Sequence, residues 1–179
     1  MATRLETTCD LTFRPLSPAI GVVAEGVDLT KPLDPGIFSR LHRAWAEHSI
    51  LLVRGQELTE EDQLRFARNF GRIAARPRPP VEKRSYVPDP DNPMHLVTDR
   101  VDDEGRRLGS LGHGEMWFHT DKCYVAAPHR ASLLYAIEIP TEGGHTKFAS
   151  LYNACRKLPA DLRERLEGRR ALQVYDYTT

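Results

Sequence analysis

A chain of 179 residues with 40% apolar and 28% charged side chains is long enough to bury a core and too apolar for wholesale disorder. Its 25 basic and 25 acidic residues cancel, which excludes the broad positive field of a typical nucleic-acid binder. Cys9, Cys123 and Cys155 are widely spaced with no CxxC pair, so a disulfide scaffold or cysteine–zinc site is not expected and a reducing, cytoplasmic setting is. The opening stretch has no signal-peptide core, and no apolar run approaches the ~20 residues of a membrane span. At ~150 residues per domain, a single domain over residues 1–179 is expected.

From Phe13 to Leu29 short apolar pieces are broken by Pro15, Pro18, Gly21 and Gly26, which predicts a strand at Ile20–Val23 and a second around Val27–Leu29. Asp34 then reads as an N-cap and Pro35 as a first-turn proline. Ile37, Leu41, Ala44, Trp45 and His48 recur at helical spacing, so a helix spans Pro35–His48. Ile50–Val53 is a buried strand stopped by Gly55. Thr59-Glu60-Glu61-Asp62 resembles a capping box, and Leu64, Ala67 and Phe70 form the stripe of a helix over Glu60–Phe70.

Arg76–Pro93 holds six of the chain's 13 prolines and cannot sustain regular structure. It is a lid over a site or a disordered connector, with the lid preferred. Met94–Val101 reads as a strand and Asp102–Arg107 as a charged turn around Gly105. Trp117–Val125 and Ala131–Ile139 read as strands, Pro140–Gly144 as a turn and Thr146–Ala149 as a short strand. Ser150 caps a helix through Lys157, Pro159 opens another that ends at Gly168, and Ala171–Tyr177 is a last strand. The order is not a regular βαβ alternation. It fits an α+β chain with an antiparallel sheet or barrel and helices packed outside.

The chemistry concentrates at Trp117-Phe118-His119-Thr120-Asp121. Residues two apart on a strand share a face, so His119 and Asp121 would present an imidazole and a carboxylate together. These are two of the three donors of a 2-His-1-carboxylate facial triad, which leaves positions open for a cosubstrate and O2. The alternative is a surface histidine beside a surface aspartate, and spacing alone does not separate the two. Trp117, Phe118 and Tyr124 suggest a partly apolar wall, where a carboxylate needs a cation or several donors. Core packing explains each aromatic taken singly. Gly143-Gly144 permits a tight turn, and the Thr146 hydroxyl beyond it is able to bond a carboxylate oxygen.

Four stretches then stand in order: Gly26-Val27-Asp28-Leu29 with Pro32-Leu33; Leu52-Val53-Arg54-Gly55-Gln56 with Leu58-Thr59 and Phe70-Gly71; His119-Thr120-Asp121; and Gly143-Gly144-His145-Thr146-Lys147-Phe148 with Leu158-Pro159. Together they resemble the taurine/2,4-dichlorophenoxyacetate (TauD/TfdA) family of Fe(II)- and 2-oxoglutarate-dependent dioxygenases. The resemblance implies a double-stranded β-helix, a jelly roll flanked by helices. It implies His119 and Asp121 as iron ligands and Thr146 as a partner of a 2-oxoglutarate carboxylate. Glu115 matches a position facing the cosubstrate, without the family's usual polar amide there. Lys122, Arg76 and Trp117 fall on the side of the primary substrate, where the Arg76 guanidinium would anchor an anion. The proline-rich loop would be the lid. The implied reaction hydroxylates a small, anionic organic substrate with O2, and 2-oxoglutarate leaves as succinate and CO2.

The departure from the family is at the C-terminal side. Members continue for roughly another hundred residues, within the usual size of a domain, and carry there a distal metal histidine and an arginine that pairs with 2-oxoglutarate. None of His42, His48, His95, His113, His129 and His145 matches the distal motif, so the chain is expected to hold iron weakly. A truncated chain, an interrupted gene and a family remnant are the alternatives. The competing functions are a catalytically incomplete remnant or binding module, and a cupin-like metal isomerase that needs no 2-oxoglutarate. The GGxTxF match argues against the isomerase. A barrel lacking strands exposes sheet edges that invite pairing, and family members often associate, so a homo-oligomer stays open.

Overall fold

The computed structural model describes residues 10–74, 93–106, 108–109 and 117–174. They fall in two compact units, Met1–Gly71 with Leu133–Arg169 and Arg72–Ser132 with Arg170–Thr179.

The first unit is built on a three-stranded sheet in the order β1-β2-β3, with β1 at Thr12–Pro15, β2 at Val22–Glu25 and β3 at Leu51–Val53. The pair β1–β2 is antiparallel, with Phe13 opposite Ala24, and β2–β3 is parallel, with Val22 opposite Leu51. A parallel pair needs a long crossover. Helix α1, Pro35–His48, provides it, so β2-α1-β3 is one βαβ unit inside a chain whose sequence shows no such repeat. Val22, Val23 and Ala24 are all buried, as expected of a central strand covered on both faces. Leu11, Ala24, Val27, Leu29 and Leu41 form the core, with Phe13, Ile37, Leu51, Val53 and Phe66 packed against it.

Helix α1 has the predicted bounds. The Asp34 carboxylate accepts from the Gly36 N–H at 2.7 Å, and Ser49 stops the helix in a left-handed conformation, φ 66°. Helix α2, Glu60–Arg68, starts on a full capping box: the Thr59 hydroxyl accepts from the Asp62 N–H, and the Asp62 carboxylate accepts from the Thr59 N–H. The Thr59 hydroxyl and the Thr59 N–H, both donating to the Asp62 carboxylate, and then Arg65 hold the Asp62 carboxyl below its usual range. Phe38, His42 and Trp45 of α1 cluster with Phe66 of α2 and Phe70 just past its end, edge to face except for the tilted pairs His42 makes with Phe38 and Phe70. Two short helices follow, α3 at Leu151–Arg156, capped by Ser150 as expected, and α4 at Ala160–Leu166.

The early strands differ from expectation for local reasons. The Ser17 hydroxyl accepts from the Ile20 N–H and donates to its carbonyl, which ties Ile20 into a turn and delays β2 to Val22. Val27–Leu29 forms no strand although both apolar side chains are buried. Its backbone bonds to side chains instead: the Leu29 N–H donates to Gln56 Oε1 at 2.8 Å, Gln56 Nε2 donates to the Val27 carbonyl at 3.1 Å, and Arg65 reaches the Leu29 carbonyl at 3.2 Å. Gly26 turns into this segment at φ 80°, and a Cβ there would stand 2.5 Å from the Asp10 carbonyl oxygen. Replacing Gln56 by alanine orphans two backbone groups of buried residues. The expected cost is about 1–3 kcal/mol, read as a lower urea midpoint with an unchanged slope.

Farther along, the predicted strands Ala131–Ile139 and Thr146–Ala149 carry no ladder, and neither do the described parts of Met94–Val101, Trp117–Val125 and Ala171–Tyr177, apart from a lone bridge at Val101. Apolar patterning qualifies a segment as a strand, but only a neighbouring backbone makes it one. Leu134, Ile137 and Ile139 are exposed accordingly. The jelly roll itself is therefore not formed among the described residues. One anchor holds this stretch in the first unit: the Tyr135 hydroxyl accepts from the Leu58 N–H at 3.1 Å and donates to the Gln56 carbonyl at 3.3 Å.

In the second unit the expected charged turn is present. Asp102 accepts from the backbone N–H of Glu104 and Arg106 and pairs with the Arg106 guanidinium at 2.7 Å, with Gly105 at φ 77°. The expected lid, Arg76–Pro93, lies outside the described residues except for Pro93, as does Glu115. No described helix is long and apolar enough to cross a membrane.

Candidate functional site

The candidate pair sits in the second unit on a bend and turn, not on a strand. The chain turns over residues 121–124, held by the Cys123 N–H to the Thr120 carbonyl at 3.3 Å and the Val125 N–H to the Lys122 carbonyl at 3.2 Å. Lys122 takes a left-handed conformation at φ 55°, uncommon for a residue with a side chain and often found where a site is held in place.

This turn still brings His119 and Asp121 together. His119 Nε2 lies 3.3 Å from Asp121 Oδ1, both side chains being about half exposed (48% and 50%). His119 Nδ1 lies 2.8 Å from the Trp117 carbonyl oxygen. That oxygen can only accept, so Nδ1 carries a proton, and in the neutral ring the lone pair then stands on Nε2. A histidine that gives its second N–H to a backbone carbonyl is arranged as metal-binding histidines are. Asp121 Oδ2 accepts the Ser132 hydroxyl at 2.5 Å.

With the ring neutral, Nε2 and Oδ1 face each other as two lone-pair atoms. Such a contact needs a proton on the ring or a cation between them. Two donors each about 2.1 Å from one ion, at an angle of about 100°, stand this far apart. The donor pair therefore fits a divalent metal. Among the described residues no group of three or more His, Cys, Asp or Glu side chains is placed to hold one. His129, the other histidine of this stretch, has a buried Nε2 with no hydrogen-bond partner.

The apolar wall expected from Trp117 and Phe118 is not formed by their side chains, which are 92% and 70% exposed. Trp117 contributes through its backbone carbonyl. Burial lowers the basicity of the Lys122 ammonium, with the Asp121 charge opposing. Thr146 belongs to the first unit, where it is exposed beyond Gly143 and Gly144, at φ 73° and 63°. A Cβ on Gly144 would stand 2.7 Å from the Pro140 ring, so the doubled glycine is what lets the chain turn there. Sequence reasoning missed Ser132, because no local rule links it to a residue eleven positions away.

Comparison with known proteins identifies the family. Residues 12–179 match the family described as "Taurine catabolism dioxygenase TauD, TfdA family". Pentalenolactone F synthase of Streptomyces avermitilis is 34% identical over 166 residues, 90% of this chain and 52% of that protein. The alpha-ketoglutarate-dependent 2,4-dichlorophenoxyacetate dioxygenase of Cupriavidus pinatubonensis is 32% identical over 162 residues, 88% of this chain and 56% of that protein. Among solved structures, a taurine dioxygenase from Burkholderia xenovorans superposes with a TM-score of 0.63 at 29% identity, over 88% of this chain and 51% of that one. The chain spans about half the length of the curated relatives it matches.

Proposed function

The chain belongs to the TauD/TfdA family of dioxygenases, and from this premise we propose that His119 and Asp121 are two donors of an Fe(II) centre that stays incomplete among the described residues. The reading rests on the 3.3 Å approach of Nε2 to Oδ1, with Nδ1 turned into the Trp117 carbonyl. Two donors hold a divalent ion less firmly than three, so these two by themselves would hold iron weakly and without turnover.

In the family, Fe(II) with 2-oxoglutarate and O2 supplies the oxidation that hydroxylates a substrate and releases succinate and CO2. This chain's residues have narrower tasks. The His119 ring offers one lone pair, with its tautomer set by the Trp117 carbonyl. Asp121 supplies the negative charge that partly neutralises the ion. The Thr146 hydroxyl is assigned by its motif to a carboxylate of 2-oxoglutarate. Arg76 and Glu115 keep the roles their motifs imply, on the substrate and cosubstrate sides.

The second reading is a hydroxylase of a small anion, within a protein that completes the centre. The cation of Lys122 directly after Asp121 favours it, as does a relative whose printed name carries a phenoxyacetate. A jelly roll and a single dioxygenase domain belong to this reading.

Anaerobic titration of Fe(II), or Mn(II) as a redox-stable probe, into the 179-residue chain tests both. Expected is one weak, saturable, chelator-reversible site and no succinate from added 2-oxoglutarate. Absence of saturable binding overturns the two-donor reading. Succinate formation by the chain itself overturns its incompleteness and leaves the hydroxylase.

A further inference from the structure

We infer that Ser132 is a positioning residue that holds the Asp121 carboxylate as a one-oxygen donor. The inference rests on the reading of His119 and Asp121 as metal donors and goes beyond it, because no motif singles out Ser132.

The two carboxylate oxygens of Asp121 have separate partners. Oδ2 accepts the Ser132 hydroxyl at 2.5 Å, while Oδ1 faces His119 Nε2 at 3.3 Å. The bond spans eleven residues, so it is not a by-product of the turn at 121–124. It fixes the carboxylate plane from outside that turn. A free carboxylate beside a divalent ion is able to swing and bind through both oxygens. In a facial triad this would fill a position that a cosubstrate or O2 needs. A hydroxyl donor on Oδ2 opposes the swing.

The chemical type of the donor matters as well. Serine is neutral, so it engages one oxygen through a charge-assisted hydrogen bond without cancelling the charge that attracts the metal. An arginine or lysine in its place would hold the carboxylate equally well but compete with the cation. The arrangement parallels His119: each donor has one atom tied to a neutral protein group, a carbonyl for the ring and a hydroxyl for the carboxylate, and the other atom left open. Groups that orient a ligand in this way are typically worth ten- to hundredfold in metal affinity.

The test compares Ser132→Ala, Ser132→Thr and His119→Ala in the 179-residue chain. Mn(II) affinity is measured by titration, metal-bound water by proton relaxation, and metal-free stability by thermal unfolding. Expected for Ser132→Ala is about tenfold weaker binding, fewer waters on the bound ion as the second oxygen joins it, and a metal-free unfolding midpoint near that of the parent. Ser132→Thr, which keeps the hydroxyl, restores affinity and water number. Parent-like affinity and water number in Ser132→Ala, with binding lost in His119→Ala, overturn the inference and leave the metal reading standing. Parent-like affinity in His119→Ala overturns the metal reading, and the inference with it. Equal losses in the alanine and threonine variants also overturn it, because a disturbed turn rather than a missing hydroxyl would then be the cause.

Discussion

Replacing His119 by alanine is expected to weaken Fe(II) or Mn(II) binding by more than about a hundredfold, beyond the range typical of residues that only orient a ligand. The ring is one of two donors, and its loss leaves Asp121 as a half-exposed carboxylate like many on a protein surface. Asp121→Asn makes the complementary cut. The amide oxygen still accepts from Ser132, so the local geometry survives while the charge is gone. Binding is expected to collapse there too, because the amide NH2 then stands where Oδ1 offered its lone pair, which would assign the effect to the carboxylate's charge and donor atom rather than to the fold of the turn. Both side chains are about half exposed, so neither change should move metal-free stability by more than about 0.5 kcal/mol. Calorimetric titration reads the affinity and thermal unfolding reads the stability. Parent-like binding in His119→Ala would end the metal assignment.

The pair was legible in the sequence, but the route to it was not. Alternation on a strand predicts that residues 119 and 121 share a face. In the structure they converge because the ring leans on the Trp117 carbonyl and the chain turns at 121–124. The two routes give the same neighbours with different surroundings: a pleated strand would have set Trp117 on the face of His119 and Asp121 and Phe118 on the opposite one, whereas the bend leaves both exposed.

The same division runs through the fold. Helices are written locally, and α1 and α2 begin where Asp34 and Thr59 can cap them. Strands depend on a distant partner. β1 gave no clear signal yet pairs with β2, while Ala131–Ile139 gave a strong one and pairs with nothing described. Two of the motif stretches turn out to serve each other. Gln56 closes the backbone of Val27 and Leu29 in place of a strand, and Arg65 from α2 takes the remaining carbonyl. Their spacing identifies a family, but among the described residues their work is structural.

Leu41→Ala is expected to cost about 3 kcal/mol, within the 2–5 kcal/mol typical of a buried leucine truncated to alanine. Leu41 has no exposed surface and sits where α1 meets Ala24, Val27 and Leu29. Its loss leaves a cavity between a helix and a central strand, which closes only if α1 shifts against the sheet. The effect should be large relative to the total. Only eight apolar residues are buried among those described, and ordinary domains hold together by about 5–15 kcal/mol in all. The control is Leu134→Ala, an exposed residue of similar size, expected to stay within about 0.5 kcal/mol of the parent. Urea unfolding of the two variants separates the cases. Equal midpoints would mean that the α1–β2 contact is not the core of the first unit, while a collapse confined to Leu41→Ala would place the unit's stability under that one side chain.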